Sequence, residues 1–301
     1  MPKMIKRLLG TSRKSKYVVV AFVLLAVAIF SATSSYIGKS LYNFTSNFAP
    51  SFTHVNGGGT LIIAGGGNLP PAIECKFREL AGGNKARLVI IPSYHPTALE
   101  EQKILKEWKQ FRAASVDVLY AKTRDEADTE SFVSKIRNAT GVWFTGGQQN
   151  VPASLYPGSA TESELWNLLD RGGVIGGTSA GAAIMSRIMI SEGKKEATIC
   201  QGLDLMRGSV IDQHFMQRNR LTRLRGVLDQ HPHAIGIGID EGTALIVHVN
   251  SGQLSVIGKS YVMLWAPSEQ ASPQRAEFLK SGDTYCLDQL DWQNDATDYQ
   301  M

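Results

Sequence analysis

Cysteine is scarce in this sequence, and the few cysteines form no pattern. Three occur among 301 residues: Cys75, Cys200 and Cys286. There is no Cys-x-x-Cys pair and no cluster of histidine with cysteine, which excludes a zinc module and a disulfide-dense secreted scaffold. One disulfide bond stays open at this point, and we predict neither a metal nor a cofactor.

An excess of charge is also missing once the first residues are set aside. The formal net charge is +4, but six of the 31 basic side chains lie within the first sixteen residues, where no acidic residue occurs. The remainder carries 25 basic against 27 acidic side chains. Because a nucleic-acid-binding domain needs a basic surface, we exclude nucleic acid as a partner.

Long apolar runs are absent except for one near the amino terminus. Residues 17–32 read YVVVAFVLLAVAIFSA, sixteen residues without a charge directly after the basic stretch. Positive charge ahead of an apolar run keeps that end in the cytoplasm, which predicts export of the rest of the chain. The length falls between a signal-peptide core of roughly 7–15 residues and a membrane span of about 20. We expect a retained membrane anchor, with cleavage and secretion as the alternative.

Composition divides the chain into four parts. Residues 1–38 contain the basic leader with the anchor or signal peptide, and residues 39–59 form a polar and aromatic tether that ends in three glycines. Residues 60–290 must then fold as one catalytic domain, followed by a polar tail over residues 291–301. The sequence leaves a homodimer open.

Short β-branched runs alternate with helical stretches through the predicted domain. Strands are predicted at 60–64, 87–91, 116–120, 141–145 and 174–175, and helices at 71–81, 99–113, 129–138, 162–170 and 180–186. This alternation is typical of a doubly wound α/β fold with a mostly parallel sheet. Residues 243–249 and 254–257 flank Asn-Ser-Gly and predict a hairpin, hence an antiparallel C-terminal extension.

A G-x-S-x-G pattern follows one of these strands. Residues 177–181 read Gly-Thr-Ser-Ala-Gly, between a strand and a helix of small residues. In that setting the serine side chain stands exposed on a sharp turn, which is typical of a nucleophile. We therefore predict that Ser179 is the nucleophile and that the Ala180 N–H helps to bind an oxyanion. The alternative is an ordinary glycine-rich turn whose serine caps the helix.

A serine nucleophile needs a base, and the chain has six histidines. His214 lies near the end of residues 208–215 (GSVIDQHF), which predict a short strand, and precedes an arginine-rich helical stretch. The strand therefore delivers it where a parallel sheet binds its ligands. Asp212 lies two residues earlier. A histidine after a strand is often a packed or surface residue, but this position favours His214 among the six.

Four segments share their residues and their order with one known family. They are residues 144–149 (FTGGQQ), 176–182 (GGTSAGA), 212–224 (DQHFMQRNRLTRL) and 238–244 (GIDEGTA). Together they resemble cyanophycinase and its dipeptidase relatives. The resemblance implies a serine exopeptidase on a flavodoxin-like or class I glutamine-amidotransferase-like sheet. The family's best-known substrate is cyanophycin, a poly-aspartate backbone with arginine on each side-chain carboxyl, which is released as β-aspartyl-arginine dipeptides.

The resemblance also implies a catalytic triad. It gives Ser179 the role of nucleophile, His214 that of base and Glu241 that of the acid that orients the base, while Asp240 and Asp212 remain alternative acids. The order serine, histidine, acid differs from that of α/β-hydrolases, but geometry and role define a triad rather than chain order.

Further family positions imply how substrate is held. The Gly147 N–H would join that of Ala180 at the oxyanion, and Gln149 would contact substrate. Apart from the resemblance, we predict that Asp212, Arg218, Arg220 and Arg223 belong to the substrate site. We expect one or two of these guanidinium groups to face the cleft and bind substrate carboxylates. A solvated helix face is the alternative.

We therefore predict an exported serine exopeptidase that hydrolyses cyanophycin through an acyl-enzyme on the outer side of the cytoplasmic membrane. A dipeptidase for other aspartyl or short peptides is the first alternative. An exported esterase would share the G-x-S-x-G turn, and an inactive binding module would share the sheet without the triad.

Overall fold

The computed structural model describes residues 58–267 and 276–287. The predicted leader, nearly all of the predicted tether and the polar tail lie outside the described residues. Among the described residues, no helix is long and apolar enough to cross a membrane. All three cysteines belong to the described part, and no disulfide bond joins them there.

Strands and helices alternate in the first half of the described chain, and strands dominate the second half. The strands are β1 (Thr60–Ala64), β2 (Arg87–Ser93), β3 (Ser115–Val118), β4 (Gly141–Gly147), β5 (Val174–Thr178), β6 (Ile188–Glu192), β7 (Thr198–Gln201), β8 (Ser209–Gln213), β9 (Ile235–Ile239), β10 (Thr243–His248), β11 (Gln253–Gly258), β12 (Tyr261–Trp265), β13 (Ala276–Lys280) and β14 (Thr284–Cys286). The α-helices are α1 (Pro71–Leu80), α2 (Ala98–Lys109), α3 (Arg124–Ala127), α4 (Glu130–Asn138), α5 (Asn150–Leu155), α6 (Ala160–Asp170), α7 (Ala180–Ala183) and α8 (Leu221–Gln230).

An eight-stranded sheet carries the order β14-β11-β10-β1-β5-β4-β2-β3. Five neighbouring strands of this sheet run parallel, in the order β1, β5, β4, β2 and β3. They are parallel because helical connections return the chain to the same end of the sheet before each next strand begins. On the other side of β1, β10 pairs antiparallel, and β11 and β14 extend that edge in antiparallel fashion.

A second sheet of four strands has the order β13-β12-β9-β8. Its β8 and β9 are parallel neighbours, while β12 and β13 pair antiparallel. Strands β6 and β7 form a separate antiparallel hairpin. The second sheet therefore carries two further parallel strands whose carboxyl ends lie side by side.

Both faces of the large sheet are buried. Alternate residues of β1 point to opposite faces, so Leu61 and Ile63 join one apolar cluster and Ile62 joins the other. Phe77 of α1 and Trp108 of α2 pack on the Ile62 face. The opposite cluster includes residues of α4, α6 and the second sheet. Helices on both faces of a parallel sheet define the doubly wound arrangement.

The predicted fold class is confirmed, since a mostly parallel sheet with flanking helices continues into an antiparallel C-terminal part. The predicted hairpin corresponds to β10 and β11. Sequence reasoning does not predict the second sheet, because β9 reads IGIGI, a run in which glycine weakens the usual strand signal.

Candidate active site

Ser179 lies on a sharp turn between β5 and α7. The strand ends at Thr178, and the helix begins at Ala180. The φ angle of Ser179 is 54°, in the left-handed region that residues other than glycine rarely adopt. The Ser179 N–H donates to the Ala64 carbonyl of β1 at 3.1 Å, which anchors the turn. Backbone strain at this position is typical of a nucleophile that is lifted out of the sheet.

The two glycines of the pattern allow the backbone to approach itself and a neighbouring strand. A Cβ on Gly177 would lie 2.6 Å from the carbonyl carbon of Gly181. A Cβ on Gly181 would lie 2.6 Å from the carbonyl carbon of Phe144. Both distances are far below van der Waals contact. The spacing of the G-x-S-x-G pattern is thus explained by the close packing of α7 against β5 and β4.

His214 follows β8 and reaches the serine. Its Nε2 lies 2.8 Å from the Ser179 Oγ. The His214 backbone N–H donates to the Gly65 carbonyl at 2.7 Å, in the turn that follows β1. His214 also has a positive φ of 50°, so both residues of the Ser179–His214 hydrogen bond are held in unusual backbone conformations.

Glu241 lies on the other side of the histidine ring. Its Oε1 is 2.5 Å from His214 Nδ1. The two alternative acids point elsewhere: Asp240 accepts from the Met216 N–H and from the Ser260 hydroxyl, and Asp212 is paired with arginine. Because a carboxylate only accepts hydrogen bonds, Nδ1 carries the ring proton and Nε2 is left to accept from the serine.

Burial is the main electrostatic influence on the base. It lowers the pKa of His214 below the ordinary value of 6.5. The hydrogen bond to Glu241 opposes this shift, whereas the positive charges of Arg218 and Arg220 add to it. Since the net direction is downward, the ring is neutral at pH 7 and can accept a proton.

The end of β4 lies beside the serine. A Cβ on Gly146 would lie 3.5 Å from the Ser179 Cβ. Gly147, the last residue of β4, is exposed, and a side chain there would meet the Ser93 carbonyl carbon at 2.9 Å. Ala180 begins α7 directly after the serine and is buried. The structure thus brings both segments that were predicted to bind the oxyanion next to Ser179.

Two residues of the predicted substrate site border this centre. Gln149 is half-buried and donates from Nε2 to the Ile190 carbonyl at 2.5 Å, which fastens the β6–β7 hairpin to the end of β4. Arg218 is exposed four residues after His214, and its N–H donates to the His214 carbonyl at 3.0 Å. Of the three predicted arginines, Arg218 is the one whose side chain is open to solvent.

Arg220 and Arg223 form a buried ion-pair cluster with Asp212, which is fully buried. Arg223 donates to both carboxylate oxygens, with Nε at 2.9 Å from Oδ2, and its Nη1 donates to the Gly193 carbonyl. Arg220 Nη1 lies 3.2 Å from Asp212 Oδ1 and also donates to both oxygens of Gln213. Burial lowers the pKa of Arg220 to about 10, so it is still charged at pH 7.

These contacts correct the expectation that Arg220 and Arg223 face an open cleft. Their side chains are 9% and 3% exposed, and their donors are directed at Asp212 and at nearby carbonyls. The physical reason is that the fully buried carboxylate of Asp212 needs charged partners. Asp212 is likewise buried among protein groups rather than presented to a ligand.

Sequence reasoning assigned no role to Gly65, whose carbonyl accepts the backbone N–H of His214. The available signal was a run of three glycines, residues 65–67, directly after a buried strand. Such runs mark close backbone approaches.

The family of this chain is shown by a match that extends far beyond the triad residues. The sequence model of Peptidase family S51 matches residues 61–255, which is well over half of the chain. The chain belongs to peptidase family S51. It is therefore a serine-type peptidase, a hydrolase, as the resemblance implied.

Curated relatives of this S51 member include cyanophycinases. The cyanophycinase of Nostoc sp. (strain PCC 7120) is 32% identical over 203 residues, which cover 64% of this chain and 67% of the relative. That of Synechococcus elongatus is 31% identical over 202 residues, which cover 64% and 62%. The matched segment thus spans about two thirds of the length of these relatives.

A solved structure supports the same fold. The crystal structure of a peptidase from an acI-B1 Actinobacterium is similar with a TM-score of 0.61 and 21% sequence identity, covering 77% of this chain and 98% of that chain. Membership of family S51 and the hydrogen-bonded order Ser179, His214, Glu241 together favour a peptidase over the esterase and the inactive module.

Proposed function

We propose that this protein is an exported serine exopeptidase that releases β-aspartyl-arginine dipeptides from cyanophycin through an acyl-enzyme. The observation that carries the proposal is the continuous hydrogen-bonded path from the Ser179 hydroxyl through the His214 ring to the Glu241 carboxylate. The curated relatives named cyanophycinase support the choice of substrate.

Acylation would begin with proton transfer from Ser179 to His214. Nε2 takes the hydroxyl proton while Oγ attacks the scissile carbonyl carbon, and Glu241 stabilises the imidazolium that forms. The resulting oxyanion would accept hydrogen bonds from the N–H groups of Gly147 and Ala180. When the C–N bond breaks, His214 returns its proton to the leaving amine, and an ester on Ser179 remains.

Deacylation would repeat these steps with water as the nucleophile. His214 takes a proton from water, the hydroxide attacks the ester carbonyl, and the proton returns to Ser179 Oγ as the C–O bond breaks. The lowered pKa of His214 suits both stages, because the neutral ring must be the resting form at neutral pH.

The charge near the base fits an acidic substrate. Arg218 is exposed beside His214, and its guanidinium can pair with a carboxylate. A substrate with an aspartate backbone presents such a group at its free end. We therefore assign Arg218, rather than Arg220 or Arg223, to the first contact with a substrate carboxylate.

The decisive experiment is product analysis by mass spectrometry. The purified full chain, with Ser179→Ala as the matched inactive control, is incubated with cyanophycin, with β-aspartyl-arginine, with α-aspartyl dipeptides and with p-nitrophenyl acetate. We expect β-aspartyl-arginine from cyanophycin with the wild-type chain and none with the variant. Intact cyanophycin together with cleaved aspartyl dipeptides would favour the dipeptidase alternative, and cleavage of the ester alone would reject a peptidase.

Export is a separate part of the proposal. It is supported by the uncharged residues 17–32, which come directly after six basic side chains. A fusion of residues 1–40 to a reporter that is active only outside the cytoplasm should give a signal, and the full chain should fractionate with membranes if the anchor is retained. A silent reporter with a full chain in the cytoplasmic fraction would refute export.

A further inference from the structure

The end of β1 and the glycine turn Gly65–Gly67 that follows it contact all three segments of the triad through their backbone. The Gly65 carbonyl accepts from the His214 N–H at 2.7 Å, and the Gly66 carbonyl accepts from the Gly242 N–H, next to Glu241, at 2.9 Å. One residue earlier, Ala64 accepts from the Ser179 N–H at 3.1 Å. Three consecutive residues, 64–66, thus join segments that come from two different sheets.

The side-chain-free face of this turn lies against the base and the acid. A Cβ on Gly66 would lie 2.5 Å from His214 Nε2 and closer still to Cε1. A Cβ on Gly67 would lie 2.6 Å from Glu241 Oε2 and 2.8 Å from its Cβ. Nε2 is the atom that contacts the serine, so a side chain at Gly66 would occupy the place where the ring must lie.

We propose that Gly66 and Gly67 are positioning residues of the active site: by having no side chain, they fix the places of the His214 ring and the Glu241 carboxylate relative to Ser179. The inference rests on the triad in the proposed function, but not on the identity of the substrate. The effect is steric, because the turn touches the two groups without taking part in proton transfer.

The expected size of the effect is set by the contact distances. To restore an ordinary separation of about 3.5 Å, the His214 ring would have to move by about 1 Å away from a Cβ on Gly66. That displacement acts directly on the 2.8 Å contact with Ser179. Misplacement of a reacting group by about 1 Å can cost about 100-fold in rate. We expect a loss of this order in kcat, with KM little changed.

The experiment compares Gly66→Ala and Gly67→Ala with substitutions at two control glycines of similar φ. Gly282 has a φ of 92° against 97° for Gly66, and Gly83 has a φ of 63° against 69° for Gly67. A Cβ on either control glycine would meet no atom within 4 Å. Gly282→Ala and Gly83→Ala therefore carry the same kind of backbone strain without contact to a catalytic group.

Two readouts are needed besides circular dichroism, which verifies folding. The first is kcat and KM as a function of pH. The second is the rate at which Ser179 reacts with a small fluorophosphonate, which requires the base but no peptide substrate. In Gly67→Ala, loss of the Glu241 contact should lower the pKa of His214 further, because that contact raises it while Arg218 and Arg220 lower it. The acid limb of the pH profile should then move to lower pH.

The proposal predicts slow labelling and a low kcat in folded Gly66→Ala and Gly67→Ala, with both controls close to wild type. Equal losses in the controls would overturn it, since backbone strain would then explain the effect. Wild-type labelling in both test variants would overturn it as well. So would unfolding of both test variants while the controls stay folded, because the glycines would then serve the fold. If wild-type protein leaves cyanophycin intact, only the proposed substrate fails, and labelling still decides the role of the turn.

Discussion

Replacement of Arg223 by methionine tests whether the buried arginines hold the fold or bind substrate. Arg223 is 3% exposed, and it is held by the Asp212 carboxylate and the Gly193 carbonyl. Methionine keeps an unbranched apolar stem but removes the charge and every donor. Asp212 would then retain the single longer contact with Arg220 Nη1, at 3.2 Å, while remaining fully buried.

The expected loss in the free energy of unfolding is about 3 kcal/mol. Removal of one partner from a buried ion pair costs about 3–5 kcal/mol, and the lower end applies because Arg220 stays in place. For a domain of this size, that loss corresponds to a Tm lower by about 6–12 °C. Urea denaturation and a thermal scan, both followed by circular dichroism, measure the two quantities. In the fraction that stays folded, KM should change little.

Arg225→Met is the matched control, because Arg225 lies on the same helix, α8, and is exposed. A substitution at such a surface position should change the free energy of unfolding by no more than about 0.5 kcal/mol. If Arg223→Met were as stable as Arg225→Met and instead raised KM for acidic peptides, the reasoning from burial would be refuted. Arg223 would then belong to the substrate site, as predicted from the sequence.

Three further predictions concern the triad. Ser179→Ala and His214→Ala should each lower kcat by about a million-fold, and the double variant should lose little more, because the two groups act as one unit; multiplying losses would contradict their cooperation. Glu241→Gln should lower kcat by about 10⁴-fold while Asp240→Asn costs far less, and the reverse result would reassign the acid. The acid limb of kcat/KM should lie below pH 6.5, and Arg218→Gln should move it upward because Arg218 lowers the pKa of His214; an unmoved limb would show that the charge of Arg218 does not reach the ring.

The elements that could be predicted from the sequence are those whose pattern is contained in a few consecutive residues. Buried β-branched runs located β1, β2 and β4, and the G-x-S-x-G pattern placed Ser179 on its turn. The assignment of Glu241 rested on resemblance, because no local pattern separates it from Asp240. The structure separates them by direction: Glu241 reaches the ring, whereas Asp240 accepts hydrogen bonds from Met216 and Ser260.

The environment of the arginines was mispredicted although α8 contains a usable signal. Arg220 and Arg223 fall on the same helical stripe as Leu224 and Val227, which are buried. Arg225 lies off that stripe and is exposed. The periodicity therefore indicates which arginines enter the interior, but it does not reveal the partner. Asp212 comes from a strand whose packing against α8 is a tertiary contact.

The chain order serine, histidine, acid results from the division of the site between two sheets. Ser179 leaves β5 of the large sheet, whereas His214 and Glu241 follow β8 and β9, which are parallel neighbours paired at Gln213 and Ile239. The carboxyl ends of parallel strands meet at one edge, so the second sheet brings the base and the acid side by side.

The two hydrogen bonds of the triad therefore depend on different parts of the fold. The contact between His214 and Glu241 depends on the pairing of β8 with β9 and on Gly67, which lies against Glu241. Loss of this contact should shift the acid limb of the pH profile to lower pH, because the contact raises the pKa of His214. The distance from Ser179 to His214 depends on how the second sheet is joined to β1 through residues 64–66. A change confined to that joint should slow acylation while leaving the acid limb in place. Kinetics across pH can thus show which of the two spacings a distant substitution has altered.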